Sequence, residues 1–449
     1  MRALSIHDTR TGRIAPLEPR DGRVGIYACG PTVYNRIHVG NARPFVVFSL
    51  LRRFLEHEGL EPTLVINVTD VNDKIYAAAR RRGIDSATLA REMTEAYLED
   101  TGRLGLGRPD HEPLATETID GIIELIQSLL DTGAAYVDGA GDVWFSVRSD
   151  PEYGSISHRS VDDMDQGEGL EGADRKRDPL DFALWKAQKP GEDTSWDAPW
   201  GRGRPGWHIE CSAMAERLLG LEFDIHGGGS DLVFPHHENE AAQTRRARGR
   251  ELARLWMHNG MLELGGGVKM AKSVGNITPL HEALDDWGRD VLVMFFLRGH
   301  YRQPLTWSDD ALREAAQNVA RIREAARRVR PGPSPAQLEP LRDAFFDALA
   351  DDFNTPKALP SLWRWVDAAI GAEEPIGDEA LREMLHVLGL EDLLEVRLAP
   401  PEVVELAERR RDARAARDFA ASDRLRDEIA ARGWAVRDTA DGYELTPAA

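Results

Sequence analysis

Residues 23–28, Arg-Val-Gly-Ile-Tyr-Ala, lead into the break Cys29-Gly30-Pro31-Thr32, and a second apolar run follows at 62–67. Both runs predict short buried strands, and glycine and proline end the first of them. Between them, from about Pro44 to His57, a helix is predicted by the spacing of Phe45, Phe48, Leu51 and Leu55. Because proline is tolerated only in the first turn of a helix, we expect this helix to begin near Pro44. A strand–loop–helix–strand unit predicts a parallel sheet.

Outside this unit, the sequence pattern changes several times along the chain. Residues 74 to 133 predict helices, and a Gly-rich, acidic stretch with strand-like pieces at 135–137 and 143–147 follows them. The sheet pattern returns at 222–226. The intervening stretch, about 120–190, therefore predicts an insertion into the sheet domain.

The chain after about residue 306 predicts mostly helix. Amphipathic stretches at 341–350, 359–370 and 378–390 predict a helical bundle, and alternation around Asp441-Gly442 predicts a hairpin after a charged helix. We therefore expect an α/β protein with a parallel-sheet domain at 1–305, a helical bundle at 306–397 and a small mixed α/β domain at 401–449.

Composition narrows the class of protein. The 449 residues are 42% hydrophobic and 29% charged, as in globular proteins, and no apolar run approaches the ~18 residues of a membrane span. The first residues show no secretion signal, so we expect a cytoplasmic protein without a membrane partner. A net charge of -20 argues against general attraction to nucleic acid, although local clusters such as Arg80-Arg81-Arg82 and Arg409-Arg410-Arg411 can bind phosphate or simply form solvated helix faces.

The loop after the first strand carries His38-Val39-Gly40-Asn41. Open parallel sheets bind ligands in such crevices, and a helix N-terminus offers free N–H groups to phosphate. His38 can donate to charge that develops on a phosphate, and Gly40 lets a planar ring approach the backbone. Taken alone, these four residues are better explained by an ordinary loop histidine.

A second motif, Lys269-Met270-Ala271-Lys272-Ser273, follows three glycines at 265–267. Two lysines on a glycine-tethered loop at 265–276 can close over a triphosphate and stabilise charge on the departing pyrophosphate. The alternative is a solvated basic loop, so this motif also needs support from others.

The chain has only two cysteines, Cys29 and Cys211, and a helix start near Pro235 carries His236, His237 and Glu240. Either histidine would share a helix face with Glu240, so spacing does not choose between them. Two thiolates, one imidazole and one carboxylate suit zinc. The alternative is a pair of buried core cysteines beside a polar helix start.

In combination, these motifs resemble those of the cysteinyl-tRNA synthetases, a family of class I aminoacyl-tRNA synthetases. His38–Asn41 and Lys269–Ser273 stand where that family carries its "HIGH" and "KMSKS" signatures. The resemblance covers nearly the whole chain and includes residues 27–34, 67–75, 181–186, 205–214 and 226–240.

The resemblance implies a reaction and its cofactors. L-cysteine would be activated by ATP, with Mg²⁺, to cysteinyl-adenylate and then transferred to tRNA(Cys) by a monomer with a Rossmann-like catalytic domain and an anticodon-binding domain at 401–449. One zinc ion per subunit would bind the substrate thiol and reject serine, so no editing domain is expected.

The resemblance also implies a role for individual residues. It implies zinc ligation by Cys29, Cys211, His236 and Glu240, which selects His236 over His237. It implies substrate contacts at Gly30, Thr32, Thr69 and Trp207. It implies nucleotide contacts at His38, Gly40, Asn41, His226, Gly227, Gly228 and Lys272, and catalytic roles for His38, Asn41, Lys269 and Lys272.

Three positions depart from the family pattern. Asn41 replaces a histidine and cannot carry charge, Ala271 removes a serine hydroxyl, and Asn72 stands where an aspartate is expected. None of them removes a proposed metal ligand or Lys272, so we expect effects on rate rather than on reaction type.

Three other functions are compatible with parts of the sequence. A cysteine–aminosugar ligase of mycothiol biosynthesis would share the adenylation step but is expected to lack residues 401–449. A non-catalytic RNA-binding paralogue would show eroded nucleotide or metal motifs, and an unrelated zinc hydrolase would not explain Lys269–Ser273. The sequence therefore favours the tRNA ligase.

Overall fold

The computed structural model of the chain describes residues 2–164, 173–264, 268–269, 277–395, 399–439 and 442–447. The elements up to the insertion are β1 Ser5–Asp8, β2 Arg13–Pro16, β3 Arg23–Ala28, α1 Val39–His57, β4 Glu61–Ile66, α2 Asp73–Arg82, α3 Ser86–Gly102 and α4 Ile119–Asp131. The following elements are β5 Ala135–Val137, β6 Val143–Phe145, β7 Phe182–Ala187, β8 Gly203–Pro205, α5 Trp207–Leu219, β9 Phe223–Gly229, α6 Glu238–Arg248, β10 Ala253–Asn259, β11 Leu262–Leu264 and β12 Val268–Lys269.

The remaining elements are mainly helical. They are α7 Leu280–Leu297, β13 Leu305–Trp307, α8 Asp309–Ala326, β14 Val329–Arg330, α9 Glu339–Ala350, α10 Thr355–Ile370, β15 Ile376–Gly377, α11 Glu379–Val387, α12 Pro401–Ala415, α13 Phe419–Ala430, β16 Trp434–Thr439 and β17 Gly442–Pro447.

A four-stranded parallel sheet in the order β10-β9-β3-β4 forms the centre of the first part of the chain. The parallel sheet and the strands at 23–28 and 62–67 are thus confirmed. Apolar side chains of β3, β4 and α1, among them Ile26, Leu64 and Phe48, are buried in one large core. The carboxyl ends of β3 and β9 lie side by side, as Ala28 pairs with Gly227.

Helix α1 begins earlier than the sequence predicted. His38 is its N-cap, and Pro44 lies inside the helix rather than at its start. A proline there removes a single N–H, whose acceptor would be the carbonyl of Gly40 one turn back, so the disturbance stays close to the helix end. The earlier start places His38, Gly40 and Asn41 in the first turn.

The segment predicted as helix from 74 to 133 contains a non-helical piece. Between α3 and α4 the chain runs alongside the edge strand β4, with Ile66 N donating to His111 O and Val68 N to Pro113 O. This piece extends the sheet edge, which a helical spacing pattern does not reveal.

The insertion contains an antiparallel sheet in the order β5-β6-β7-β8, of which the sequence predicted only the first two strands. Its apolar core is formed with α4 and includes Ile122, Ile126, Phe145 and Phe182. The run Phe182–Ala187 is therefore a central strand of this sheet.

Helices α8 to α11 pack on one another and on the end of α1. The charged helix predicted after Pro401 is two helices, α12 and α13, separated at Arg417, which has a φ of 59°. Together with β16 and β17 they enclose a small core that includes Leu406, Leu425 and Trp434. Arg410 is buried and paired with Asp438, so it is unavailable to a partner. Among the described residues, no helix has both the length and the apolar character of a membrane span.

Candidate active site

Four side chains meet between β3, α5 and the turn that precedes α6. Cys29 directly follows β3, Cys211 lies in α5, and Glu240 lies in the first turn of α6. His236 lies in the preceding wide turn, Val233–His237, because the helix begins at Glu238 rather than near Pro235. All four are buried, and their ligand atoms lie within 4.8 Å of one another.

The separations between these atoms suit a tetrahedral metal site. Glu240 Oε1 lies 3.6 Å from Cys29 Sγ and 3.2 Å from His236 Nε2. Ligands at ~2.0–2.3 Å from zinc in tetrahedral geometry are roughly 3.3–3.8 Å apart. Glu240 Oε2 is buried and makes no hydrogen bond among the described residues, although His226 Nε2 lies 3.4 Å away. A buried carboxylate oxygen in this state is costly unless a cation or donor satisfies it. The donor set therefore fits a metal ion.

A second set of buried ligands overlaps the first. His226 and His237 lie within the same 4.8 Å limit of Cys29 and Glu240. Geometry alone therefore leaves two possible sets of metal ligands, both of which include Cys29 and Glu240. The set with Cys211 supplies two thiolates, and the set with both histidines supplies one.

The electrostatics favour thiolate formation at Cys211. A hydrogen bond from the Cys29 thiol, helped by His236, lowers the pKa of Cys211 to about 6 despite its burial. Burial, and then the neighbouring Cys211, raises the pKa of Cys29 well above its usual value. Burial opposes the charged form of His236, but Glu240 and Cys211 raise its pKa. Such a cluster is poised to exchange protons for a cation.

Aromatic and histidine neighbours hold His236 in place. The Trp207 ring stacks on it with 4.3 Å between ring centroids, and His208 Nδ1 lies 2.9 Å from His236 Nδ1. Trp207 and Cys211 are four residues apart on α5 and therefore project from the same face. This arrangement brings Trp207, the predicted substrate contact, directly beside the ligand set.

A chain of hydrogen bonds reaches the ligand set from the N-terminal strand. Thr9 Oγ1 lies 2.7 Å from His258 Nδ1, and His258 Nε2 lies 2.7 Å from His237 Nδ1. Donation in one direction along this chain leaves a proton on His237 Nε2, which lies 3.9 Å from Glu240 Oε1. Protein ligands to metals are commonly oriented by such outer contacts.

The other predicted substrate contacts form one wall beside Cys29. Gly30 N donates to Asn67 Oδ1 at 2.9 Å, and a Cβ on Gly30 would lie only 1.8 Å from Asn67 O. Thr32 pairs with Thr69, which is itself buried. The close approach of these two segments explains why a residue without a side chain is required at position 30.

The first turn of α1 has a reciprocal cap. His38 Nδ1 accepts from Gly40 N at 3.1 Å, and Asn41 Oδ1 accepts from His38 N at 3.3 Å. A Cβ on Gly40 would lie 2.9 Å from the His38 ring, so Gly40 makes room for the imidazole. Asn41 therefore positions the backbone of the histidine in this motif.

Residues 265–276, here termed the lysine loop, carry Lys269 and Lys272. Directly after them, the chain contacts the first turn of α1. Val39 N donates to Thr278 O at 3.0 Å, and Leu280 N donates to Ile37 O at 3.0 Å. At its other end, β12 pairs with β11, with Lys269 opposite Glu263. Lys272 and Ala271 lie outside the described residues, as does the Lys269 side chain. The described segment that follows the lysine loop, at Thr278 and Leu280, therefore lies against the first turn of α1.

The glycines at the carboxyl end of β9 have no room for side chains. A Cβ on Gly227 would lie 2.1 Å from the Phe48 ring, and one on Gly228 would lie 2.9 Å from Leu232. The ring of His226, expected at the nucleotide, lies with the metal ligands, 3.7 Å from Cys29 Sγ and 3.4 Å from Glu240 Oε2.

Several residues of this site were missed by the sequence reasoning. They are Thr9, Tyr27, His208, His237 as an outer contact, and His258. Tyr27 and His208 lie in the family-matched segments 27–34 and 205–214, and this match could have marked them as site residues. Thr9 and His258 carry none, since their contact joins residues 249 positions apart.

Comparisons with known proteins show the family to which the chain is similar. Residues 16–317 match the model of the tRNA synthetases class I (C) catalytic domain. The chain is 45% identical to a cysteine–tRNA ligase of Halorhodospira halophila and 42% identical to one of Brevibacillus brevis, each with 98% of both chains covered. In fold it resembles a methionyl-tRNA synthetase of Mycobacterium tuberculosis in complex with methionyl-adenylate (TM-score 0.60, 16% identity, 83% of this chain and 88% of that chain). It also resembles a LeuRS of Agrobacterium radiobacter in a ternary complex (TM-score 0.60, 10% identity, 84% and 85%).

Proposed function

The chain belongs to the cysteinyl-tRNA synthetases, class I ligases that use ATP to charge tRNA with cysteine, and we propose that its Cys29, Cys211, His236 and Glu240 hold one zinc ion that selects the substrate. The observation that carries the proposal is the buried cluster of two thiols, an imidazole and a carboxylate with ligand atoms within 4.8 Å. The set with two thiolates is preferred over the one with His226 and His237, because thiolates favour zinc.

The pocket beside the cluster suits cysteine. Zinc, when bound, supplies a Lewis acid that prefers a thiolate to a hydroxyl. Trp207, stacked on His236, and the wall of Gly30, Thr32 and Thr69 confine the amino acid next to the ligand set. Serine offers no thiolate, so a site built on this contact rejects it by ~10⁴ or more.

Adenylation is proposed to occur at the first turn of α1. The cysteine carboxylate attacks the α-phosphate of ATP, and pyrophosphate leaves. His38, held by its cap with Gly40 and Asn41, stabilises charge on the α-phosphate, while Lys269 and Lys272 stabilise the departing pyrophosphate. Gly227 and Gly228 are proposed to contact the nucleotide, as the family resemblance implies, and Mg²⁺ accompanies the phosphates. The hydrogen bond from Val39 N to Thr278 O supports this role for the lysine loop.

Transfer of cysteine to tRNA is proposed to need residues 401–449. These residues form a module that is proposed to bind the anticodon. Phe419, at the start of α13, is 61% exposed, the largest exposure among the bulky apolar side chains that the structure describes as exposed. It lies two residues after Arg417, and exposed aromatic rings and guanidinium groups both suit stacking on an unpaired base. Trp434 is instead part of the module's core.

The proposal also covers the cellular compartment and the oligomeric state of the enzyme. Cys29 and Cys211 form no disulfide and are buried, which suits the reducing cytoplasm. All residues named above lie in one chain, so a monomer is expected to be active.

Pyrophosphate exchange across amino acids tests the proposal. We expect ATP–pyrophosphate exchange with L-cysteine, a specificity for serine ~10⁴-fold lower, and about one zinc per chain. Removal of zinc by a chelator should abolish exchange, and added zinc should restore it. Transfer should then occur to tRNA and not to an aminosugar. Full exchange by zinc-free protein, or a cysteine-to-serine ratio near ten, would contradict the zinc role.

The anticodon role has a separate test in the intact protein. Phe419→Ala should raise the KM for tRNA about tenfold, because stacking on one base contributes roughly 1–3 kcal/mol. Ile14→Ala, which removes another exposed apolar side chain on β2, is the matched control and should leave it unchanged. Equal charging by both variants would exclude Phe419 from tRNA binding.

A further inference from the structure

Tyr27 lies directly beneath the ligand set. It is the penultimate residue of β3, two before Cys29, and side chains two apart on a strand point to the same side. The ladder continues past the strand end, since Cys29 N donates to Gly227 O. The ring of Tyr27 is fully buried and stacks on His226 with 5.2 Å between ring centroids and 25° between ring planes. The phenol thus projects towards α5, which carries Cys211.

The hydroxyl of Tyr27 lacks a partner. Among the described residues, it makes no hydrogen bond although it is wholly buried. A buried polar group in this state is destabilising, so its presence in a native protein calls for an explanation. Tyr27 belongs to the same buried cluster as Cys29 and Cys211, so it lies among groups that would gain negative charge on binding a metal. A phenol is an O–H donor at neutral pH.

The ligand set has an excess of negative charge once it is loaded. Two thiolates and a carboxylate outweigh one divalent cation, and a substrate thiolate adds to the excess. Such a buried centre needs hydrogen-bond donors aimed at its sulfur atoms. The stack on His226 fixes the Tyr27 ring, so little conformational freedom is lost when its hydroxyl donates.

We propose that Tyr27 is a specificity-determining positioning residue, whose hydroxyl donates a hydrogen bond to the thiolate of Cys211 and keeps the metal electron-poor enough to bind the thiolate of cysteine. A thiolate that accepts a hydrogen bond gives less electron density to its metal. The metal then remains a stronger acceptor for the substrate sulfur. This inference rests on the proposed zinc site.

Cobalt(II) substitution provides a readout that is independent of catalysis. In protein loaded with Co²⁺, Tyr27→Phe should shift the thiolate-to-cobalt charge-transfer band to longer wavelength, because the sulfur electrons are no longer stabilised. Zinc affinity, measured by competition with a chelating dye, should fall about 10–100-fold. The preference for cysteine over serine in pyrophosphate exchange should fall by a similar factor.

Tyr97→Phe is the matched control. Tyr97, on α3, is also buried with a hydroxyl that lacks a hydrogen-bond partner in the described part of the chain, and it belongs to a different apolar core. Tyr97→Phe should change the stability of the fold but neither the charge-transfer band nor the zinc affinity. If Tyr27→Phe does not fold, site-specific 3-fluorotyrosine at position 27 tests the same contact with the opposite sign, since a more acidic phenol should shift the band to shorter wavelength.

The outcomes separate the two hypotheses. A wild-type protein that shows no charge-transfer band with Co²⁺ contradicts the cysteine-ligated metal site itself. A wild-type band that neither Tyr27→Phe nor 3-fluorotyrosine shifts, with unchanged zinc affinity, leaves the metal site intact and overturns the role of Tyr27. Shifts of opposite sign for the two substitutions support it.

Discussion

Asn41 shows how a single residue that departs from a family motif keeps a local role. The sequence predicts a lower rate, because asparagine cannot carry the charge of a histidine. In the structure its side-chain oxygen accepts from His38 N at 3.3 Å, which closes the reciprocal cap of α1. Such caps contribute roughly 0.5–2 kcal/mol and fix the direction in which the chain enters the helix. Asn41 thus orients the residue that we propose to face the phosphates.

The substitution Asn41→Asp separates these two roles. An aspartate still accepts from His38 N and is favourable at a helix N-terminus, so thermal stability should be unchanged or slightly higher. Its negative charge should repel ATP and raise the KM for ATP about tenfold or more in pyrophosphate exchange. Asn72→Asp is the control, because Asn72 Oδ1 also accepts from a backbone N–H at a helix start, as the N-cap of α2 bonded to Lys74 N. Equal ATP affinity in both variants would place Asn41 away from the nucleotide.

The ligand residues were accessible from sequence, whereas their outer contacts were not. Only two cysteines exist, and the paired histidines stand before Glu240, so the donor types suited a metal, but the family resemblance was needed to favour it over buried core cysteines. The choice of His236 needed the family resemblance, since the structure also groups His237 with Glu240. The contact between Thr9 and His258 depends on β1 lying beside β10, which no local pattern encodes.

At the level of secondary-structure elements, strand patterns were more informative than helix boundaries. The strand at 23–28 was predicted with the bounds observed, because its buried apolar residues are bordered by glycine and proline. The start of α1 was misplaced since proline was taken as a first-turn residue, although Pro44 is accommodated within the helix. Strand β7 was missed because the insertion is interrupted by acidic loops.

The lysine loop is an element whose function can be tested separately from its structure. Lys272→Ala should lower the kcat of pyrophosphate exchange at least about a hundredfold and leave the KM for cysteine nearly unchanged, because the lysine acts on charge that appears as pyrophosphate leaves. Lys357→Ala, at an exposed lysine of α10 paired with Asp351, is the control. A variant affected only in the KM for cysteine would contradict this role.

The contact between α1 and α11 should make stability depend on pH. Burial opposes ionisation of Glu383, but hydrogen bonds from Arg342 and His57 hold its pKa below the usual value. A depressed folded-state pKa stabilises the protein above the unfolded pKa of about 4.3, and this contribution is lost as pH falls. Glu383→Gln should therefore lower the urea midpoint of unfolding at pH 7. The difference in midpoint between the variant and the wild type should become smaller towards pH 4.

Glu379→Gln is the matched control for this contact. Glu379 is exposed at the start of the same helix, α11, so its replacement should change the urea midpoint little at either pH. A difference between Glu383→Gln and wild type that grows on acidification would contradict the assigned direction.

At the level of the whole molecule, adenylation is proposed for the sheet domain and tRNA binding for the C-terminal module. This separation predicts the effect of removing the module. Protein ending at Pro400 retains every residue proposed for adenylation, so cysteine-dependent pyrophosphate exchange should remain within about twofold. Charging of tRNA should fall at least about a hundredfold, because the proposed anticodon contacts are gone. Charging by the intact enzyme should also weaken with salt, despite a net charge of -20, as phosphate contacts release counterions. Equal charging by both proteins would show that the module does not read tRNA.

The most direct measurement is zinc K-edge X-ray absorption of the intact enzyme, alone and with L-cysteine or L-serine. The enzyme alone should show two sulfur neighbours at about 2.3 Å, from Cys29 and Cys211, with nitrogen and oxygen at about 2.0–2.2 Å. L-cysteine should add a third sulfur neighbour, and L-serine should leave the count at two. A sulfur count that does not change with L-cysteine would contradict selection of the substrate by direct contact with the metal.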